Sequence, residues 1–304
     1  METRRQFSRL GFAYVIFFVV AVIAQILLTA VTFGLWDNRS EMVAMLVSQA
    51  SMYCCGFPVF YILMKRIPAW KMIETRKMTA DRFLLWLIFC FGLTYLGNFL
   101  GQGLMALVGM IAGHPFTSPV ESMVMEGKLW LMVISVVLIA PVMEELMFRK
   151  FLVDRTIQYG QKTAVIISGV CFGLFHGNFY QFFYACTMGM VFAYLYSSTG
   201  KIRYNILLHM IINLVGGVVP VVILKLGENS QVLSAAGSLL LMGLMVGSIV
   251  CAIVLFCCYV RHLSFSPGWA ELPPNGFWRT VLLSPGAIGF IIMSLVMFVT
   301  GTLG

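Results

Sequence analysis

From Leu10 to Trp36 the chain carries no charged side chain, and comparable apolar runs recur at 42–64, 83–112, 129–148, 163–177, 179–197, 204–226, 235–260 and 280–302. Crossing a bilayer takes about 20 apolar residues. In lipid every backbone polar group must be satisfied within the protein, which leaves helices or a closed barrel. Strand-like alternation is absent, so a barrel is not expected. The expected fold is all-α, a polytopic transmembrane helical bundle of about 8–9 spans at this spacing. Composition agrees: 60% of residues are hydrophobic and 11% charged, against about 25% charged in soluble domains. No internal repeat, low-complexity stretch or soluble appendage interrupts the pattern, so residues 1–304 read as one membrane-embedded domain.

Charge sets the expected orientation. Arg4, Arg5 and Arg9 precede the first run, and Lys65, Arg66, Lys71, Arg76, Lys77 and Arg82 follow the second. Arg149, Lys150, Arg155 and Lys162 follow the fourth, Lys201 and Arg203 the sixth, and Arg261 and Arg279 the eighth. The intervening connections, at 37–41, 114–126, 177–178 and 225–228, are near neutral or acidic. Positive loops stay in the cytoplasm, which predicts a cytoplasmic N-terminus and, with nine spans, an external C-terminus. The net charge of +8 follows from these loops and implies no nucleic-acid partner. Trp269 and Trp278 place the loop 264–278 at headgroup level. The basic N-terminus resembles a signal-peptide start, but the run 10–36 exceeds an h-region, so it reads as a retained span. With no sorting signal in view, the expected home is a bacterial plasma membrane. The eight cysteines (54, 55, 90, 171, 186, 251, 257, 258) show no CxxC spacing, so neither a zinc knuckle nor a disulfide framework is indicated.

Against this apolar background three polar placements stand out, because ionisable groups at membrane depth are costly and mark function. They are Glu144-Glu145 with Arg149, His176 after Phe172, and His209 with Asn213. Glu144 lies five residues before Arg149, about 7–8 Å along a helix, and His209 lies six after Arg203, about 9 Å. Their depths below the cytoplasmic edge therefore match. His176 would sit about 20 Å along a helix starting at Thr163. It reaches Glu144 only if that helix tilts, starts above the hydrocarbon, or ends at Gly177 as a broken helix lining a cavity.

Successive helical residues point about 100° apart, so Glu144 and Glu145 are not expected to face one pocket. Glu145 and Arg149 stand at i,i+4 with the acid first, the favoured order for an ion pair. Glu144 is then free to act as a general base on water. His176 can help orient that water, Phe172 shares its face, and His209 with Asn213 can donate to an oxyanion. The set outlines a hydrolase acting on a carbonyl. Gly101-Gln-Gly103 and Gly216-Gly217 permit close helix approach or local unwinding.

Glu-Glu-x-x-x-Arg (144–149), Phe-x-x-x-His (172–176) and His-x-x-x-Asn (209–213), in this order on successive apolar helices, resemble the CPBP family of CAAX-type and bacteriocin-processing intramembrane proteases, also called Abi. The resemblance covers residues 85–225, the motif-bearing core. It implies an endopeptidase acting on membrane-associated or lipidated substrates in a cytoplasm-facing cavity, with membrane lipid as the other partner. Glu144 and His176 would activate water and His209 and Asn213 would form the oxyanion hole. Glu145, Arg149 and Phe172 would support them. A His176–His209–Glu144 zinc site is the alternative chemistry. There is no HExxH and Asn213 is a poor zinc ligand, so no metal or other cofactor is expected. The competing readings are a non-catalytic scaffold or immunity protein of the same fold, and a transporter using the buried acids and imidazoles as a relay. A transporter would carry inverted repeats, and none is visible.

Overall fold

The computed structural model describes residues 2–36, 41–70, 77–116, 129–227 and 230–303. Asp37, Lys71, Arg76, Glu126 and Glu228 of the expected loops lie outside these segments. The fold is an all-α polytopic membrane bundle, with no strand among the described residues. Its helices are α1 (Glu2–Trp36), α2 (41–65), α3 (Ala80–Ala112), α4 (Leu129–Tyr159), α5 (Gln161–Phe175), α6 (Phe179–Thr199), α7 (Ile202–Gly227), α8 (Gln231–Tyr259), the short α9 (Phe277–Leu282) and α10 (Pro285–Leu303). Each apolar run is helical over most of its length, the last one broken at Leu283-Ser284, and among the described residues six helices are long and apolar enough to cross a membrane: α1, α2, α3, α4, α7 and α8. Helices α5 and α10 are shorter apolar helices. The outer surface is what a lipid-solvated protein needs: Ile111, Val232 and Leu240 are 88, 78 and 74% exposed, a pattern that marks a membrane interface. All eight cysteines are free thiols.

Three helices contain an internal proline, and each widens just before it. Ser51–Gly56, Val133–Ile139 and Leu214–Val218 are π-helical turns, preceding Pro58, Pro141 and Pro220. Proline has no N–H and its ring clashes with the carbonyl one turn back, and a wider turn relieves that clash. The expected loosening at Gly216-Gly217 takes this form, a π turn in a continuous helix. A fourth π segment, Leu146–Val153, has no proline to account for it. Its carbonyls find side-chain donors instead: Tyr14 Oη donates to Met147 O at 3.0 Å and Ser168 Oγ to Phe148 O at 3.0 Å. Two of these π turns flank Glu144 and Glu145, and such turns are frequent at functional sites.

Around the site the helices touch backbone to backbone. A Cβ on Gly97 of α3 would lie 2.5 Å from the Tyr184 backbone of α6, and one on Gly189 of α6 would lie 2.9 Å from Gly169 Cα of α5. Gly101 likewise meets the carbonyls of Phe179 and Tyr180, whereas Gly103 has nothing near it. Small residues at such crossings allow the close packing that replaces the hydrophobic effect within lipid. Helices α5 and α6 thereby form a tight hairpin, joined through Gly177 in the left-handed region (φ 62°). Helix α5 ends at Phe175 with His176 as its cap, and the chain reverses there.

Candidate functional site

Glu145 and Arg149 lie one turn apart on α4, both fully buried, with Arg149 Nε 3.2 Å from Glu145 Oε2. The expected ion pair is present, but its N–H is not aligned for a hydrogen bond, and neither Nε nor Nη1 has an acceptor. The attraction is therefore Coulombic, and the aromatic rings supply the rest. The guanidinium carbon sits 4.4 Å from the Phe172 ring centroid and 5.3 Å from that of Phe192, a desolvated cation–π arrangement that suits Arg. Phe172 thus serves as a platform for the charge.

Helix α7 brings His209 and Asn205 to the same carboxylate. His209 Nδ1 is 3.1 Å from Glu145 Oε1, and Asn205 Nδ2 donates to Glu145 Oε2 at 3.3 Å and to Phe192 O at 2.6 Å. An ionised carboxylate only accepts, so Nδ1 carries a proton. The other nitrogen, Nε2, faces Glu144 Oε2 at 3.7 Å. The adjacent glutamates thus face different surroundings, as expected, but both touch one imidazole, which was not expected. The 100° between them is spanned by the imidazole, which stands between two long side chains and offers one nitrogen to each. Glu145 is sealed in; Glu144 is 16% exposed and is the carboxylate that water can reach.

His176 caps α5, and its Nδ1 lies 2.8 Å from Phe172 O. A carbonyl cannot donate, so Nδ1 holds the proton and the neutral ring presents Nε2 as an acceptor. The ring stands edge-on to Phe172, with centroids 4.8 Å apart, and Phe172 in turn stands 5.9 Å from His209. His176 lies within electrostatic reach of both Glu144 and His209.

Asn213 has a different protein partner. Its Nδ2 donates to Val136 O on α4 at 2.9 Å. Ala140 N pairs with Ser135 O across the π turn, so the partner due to Val136 O is residue 141, a proline with no N–H. Asn213 fills that vacancy and keeps one N–H to spare. Sequence reasoning missed Asn205, although its i,i+4 spacing to His209 and Asn213 puts all three on one stripe of α7. It also missed Tyr53 and Tyr184, both within electrostatic reach of Glu144, for which the sequence carries no signal.

The four residues assigned to chemistry, with Glu145, Arg149 and Phe172, all fall within one segment. Residues 126–215 match the family model described as type II CAAX prenyl endopeptidase Rce1-like. The resemblance read from the three motifs is thereby shown for this segment. Over 87 residues the chain is 33% identical to the Bacillus subtilis (strain 168) protein named "Putative membrane peptidase YdiL", a stretch covering 27% of this chain and 34% of that protein. The chain thus spans about a third of the length of the curated relative it matches. No solved structure matches it.

Proposed function

We propose that this protein is an intramembrane endopeptidase in which Glu144 activates the attacking water. The observation that carries the reading is the buried Arg149–Glu145–His209 assembly beside a solvent-reachable Glu144. It is costly to keep in a membrane protein unless used. The match of 126–215 to the Rce1-like peptidases supports the same chemistry.

A water between Glu144 and His176 Nε2 has two acceptors for its protons and attacks the substrate carbonyl as Glu144 takes one of them. With Nδ1 committed to Glu145, His209 donates from Nε2 as the imidazolium, a charge the two glutamates offset against Arg149. His209 and the spare N–H of Asn213 then stabilise the oxyanion, and Glu144 returns its proton to the leaving amine. Substrates are membrane-associated or lipidated peptides, met in a bacterial plasma membrane with the N-terminus in the cytoplasm.

A zinc-dependent route asks for three converging ligands. Among the described residues no three His, Cys, Asp or Glu side chains form such a group. The absence of a converging triad supports a route without zinc, and the proposed chemistry uses none. The test is cleavage of a peptide library, including farnesylated C-terminal peptides, by the wild type and Glu144→Ala, each with and without chelator. Cleavage abolished by the substitution and indifferent to chelator is expected. Loss with chelator moves the chemistry to a metal. Equal cleavage by both proteins removes Glu144 from the mechanism, and a wild type that cleaves nothing favours the scaffold reading.

A further inference from the structure

A short polar chain runs along the start of α6 toward the site, and its hydrogen bonds allow only one polarity. Asn178 Nδ2 donates to His176 O at 2.8 Å, and Asn178 Oδ1 accepts from Gln181 N at 3.0 Å. A carbonyl can only accept and an amide N–H can only donate, so the Asn178 amide has a single orientation. Its second N–H goes to Gln181 Oε1 at 2.8 Å. Gln181 must then turn its NH₂ group outward, and Nε2 donates to Tyr184 Oη at 2.8 Å. Tyr184 is therefore an acceptor toward Gln181, and its own proton points elsewhere. Among the described residues no protein group accepts it.

The site lies beside this phenol. The Tyr184 ring stands 6.4 Å from that of His176, the phenol is within electrostatic reach of Glu144, and Gly97 lets α3 press directly on the backbone that carries it. The chain begins on the carbonyl of His176 itself, so the donor and the imidazole are fixed to one another. An O–H held in this way needs no reorganisation when negative charge develops near it, which is the condition for efficient oxyanion stabilisation.

We propose that Tyr184 donates a hydrogen bond to the substrate carbonyl oxygen as it becomes an oxyanion, with Gln181 and Asn178 as positioning residues that aim the proton. No proton is transferred in this step; the O–H stays intact and the charge returns to the carbonyl on collapse. The inference rests on the peptidase reading above.

The experiment measures kcat and KM on whichever library peptide the wild type cleaves, for the full-length protein in nanodiscs. Tyr184→Phe keeps the ring and removes the donor, and the expected result is a kcat lower by about 10²-fold, as for loss of one oxyanion donor, with KM unchanged. Gln181→Glu is the decisive companion. Its carboxylate still accepts from Asn178 but draws the Tyr184 proton toward itself, so kcat is expected to fall comparably although Tyr184 is intact. Gln181→Leu, which breaks the chain and leaves the phenol free to rotate, should cost less. A merely structural role for Tyr184 would leave kcat within twofold in Tyr184→Phe, or would move stability and KM with it, and either result overturns the proposal. Loss of cleavage in Glu144→Ala beside a fully active Tyr184→Phe sinks this inference alone. Retained cleavage in Glu144→Ala, or none in the wild type, overturns the peptidase reading and this one with it.

Discussion

Arg149 shows how much a single residue can be asked to do inside a bilayer. It neutralises Glu145, stacks between Phe172 and Phe192, and reaches toward Gly189 O at 3.5 Å. Removing it leaves a fully buried carboxylate without its counter-charge, and breaking a buried pair costs about 3–5 kcal/mol. Arg149→Leu is therefore expected to lower stability by that order, read as a lower unfolding midpoint in detergent. Arg149→Lys keeps the charge but loses the planar stack, and should fall between the two. At this scale the ion pair was legible, since i,i+4 spacing on a helix is enough to draw it. The place of His209 between both glutamates was not, because it depends on the contact of α4 with α7. The same is true of Tyr184, whose orientation is fixed by Asn178 and Gln181 and by no motif.

Among the elements, three of the four described π turns precede a proline, and α4 shows the consequence. Pro141 leaves Val136 O without its backbone donor, and Asn213 of α7 supplies one. Asn213→Leu should therefore lose stability as well as activity, by the about 1–3 kcal/mol of an unsatisfied buried polar group. Restoring the N–H with Pro141→Ala in the same protein should return the stability but not the activity. Chemical unfolding of the single and double variants, beside their cleavage rates, separates the two roles. The prolines and the glycine pair before Pro220 were visible in the sequence, and a distortion of the helix was the correct expectation there. That the distortion is a π turn, and that its freed carbonyl recruits a residue from the site, follows from backbone hydrogen bonding between helices, which a single sequence does not encode. Helix α5 was legible as too short for a plain crossing, and it ends at His176, which caps it.

For the molecule as a whole, the contacts fix relative direction. His209 meets Glu145 while Asn213, one turn later on α7, meets Val136, earlier on α4. The two helices are antiparallel, so the end of α4 and the start of α7 share a side. That side carries Lys162, Lys201 and Arg203, as alternating basic loops predict. Cysteines introduced at Lys162 and Lys201 in an otherwise cysteine-free protein should react together with an impermeant reagent only from the cytoplasmic face, and one at Gly113 only from the other. Labelling of Lys162 and Lys201 positions from opposite faces would contradict the packing of α4 against α7. The apolar exterior and the all-helical class were legible from composition and run length, because the solvent there is lipid and every outward side chain must suit it. The number of spans was not, since among the described residues six helices rather than nine are long and apolar enough to cross.

The central claim is that Glu144 hands a proton from water and does not itself attack. A single turnover in ¹⁸O water, with enzyme in excess and products read by mass spectrometry, tests it most directly. Water attack predicts one ¹⁸O in the new carboxyl group from the first turnover and an unlabelled Glu144. A first product without ¹⁸O, with the label in the Glu144 side chain, would show an acyl intermediate on that carboxylate and contradict the account.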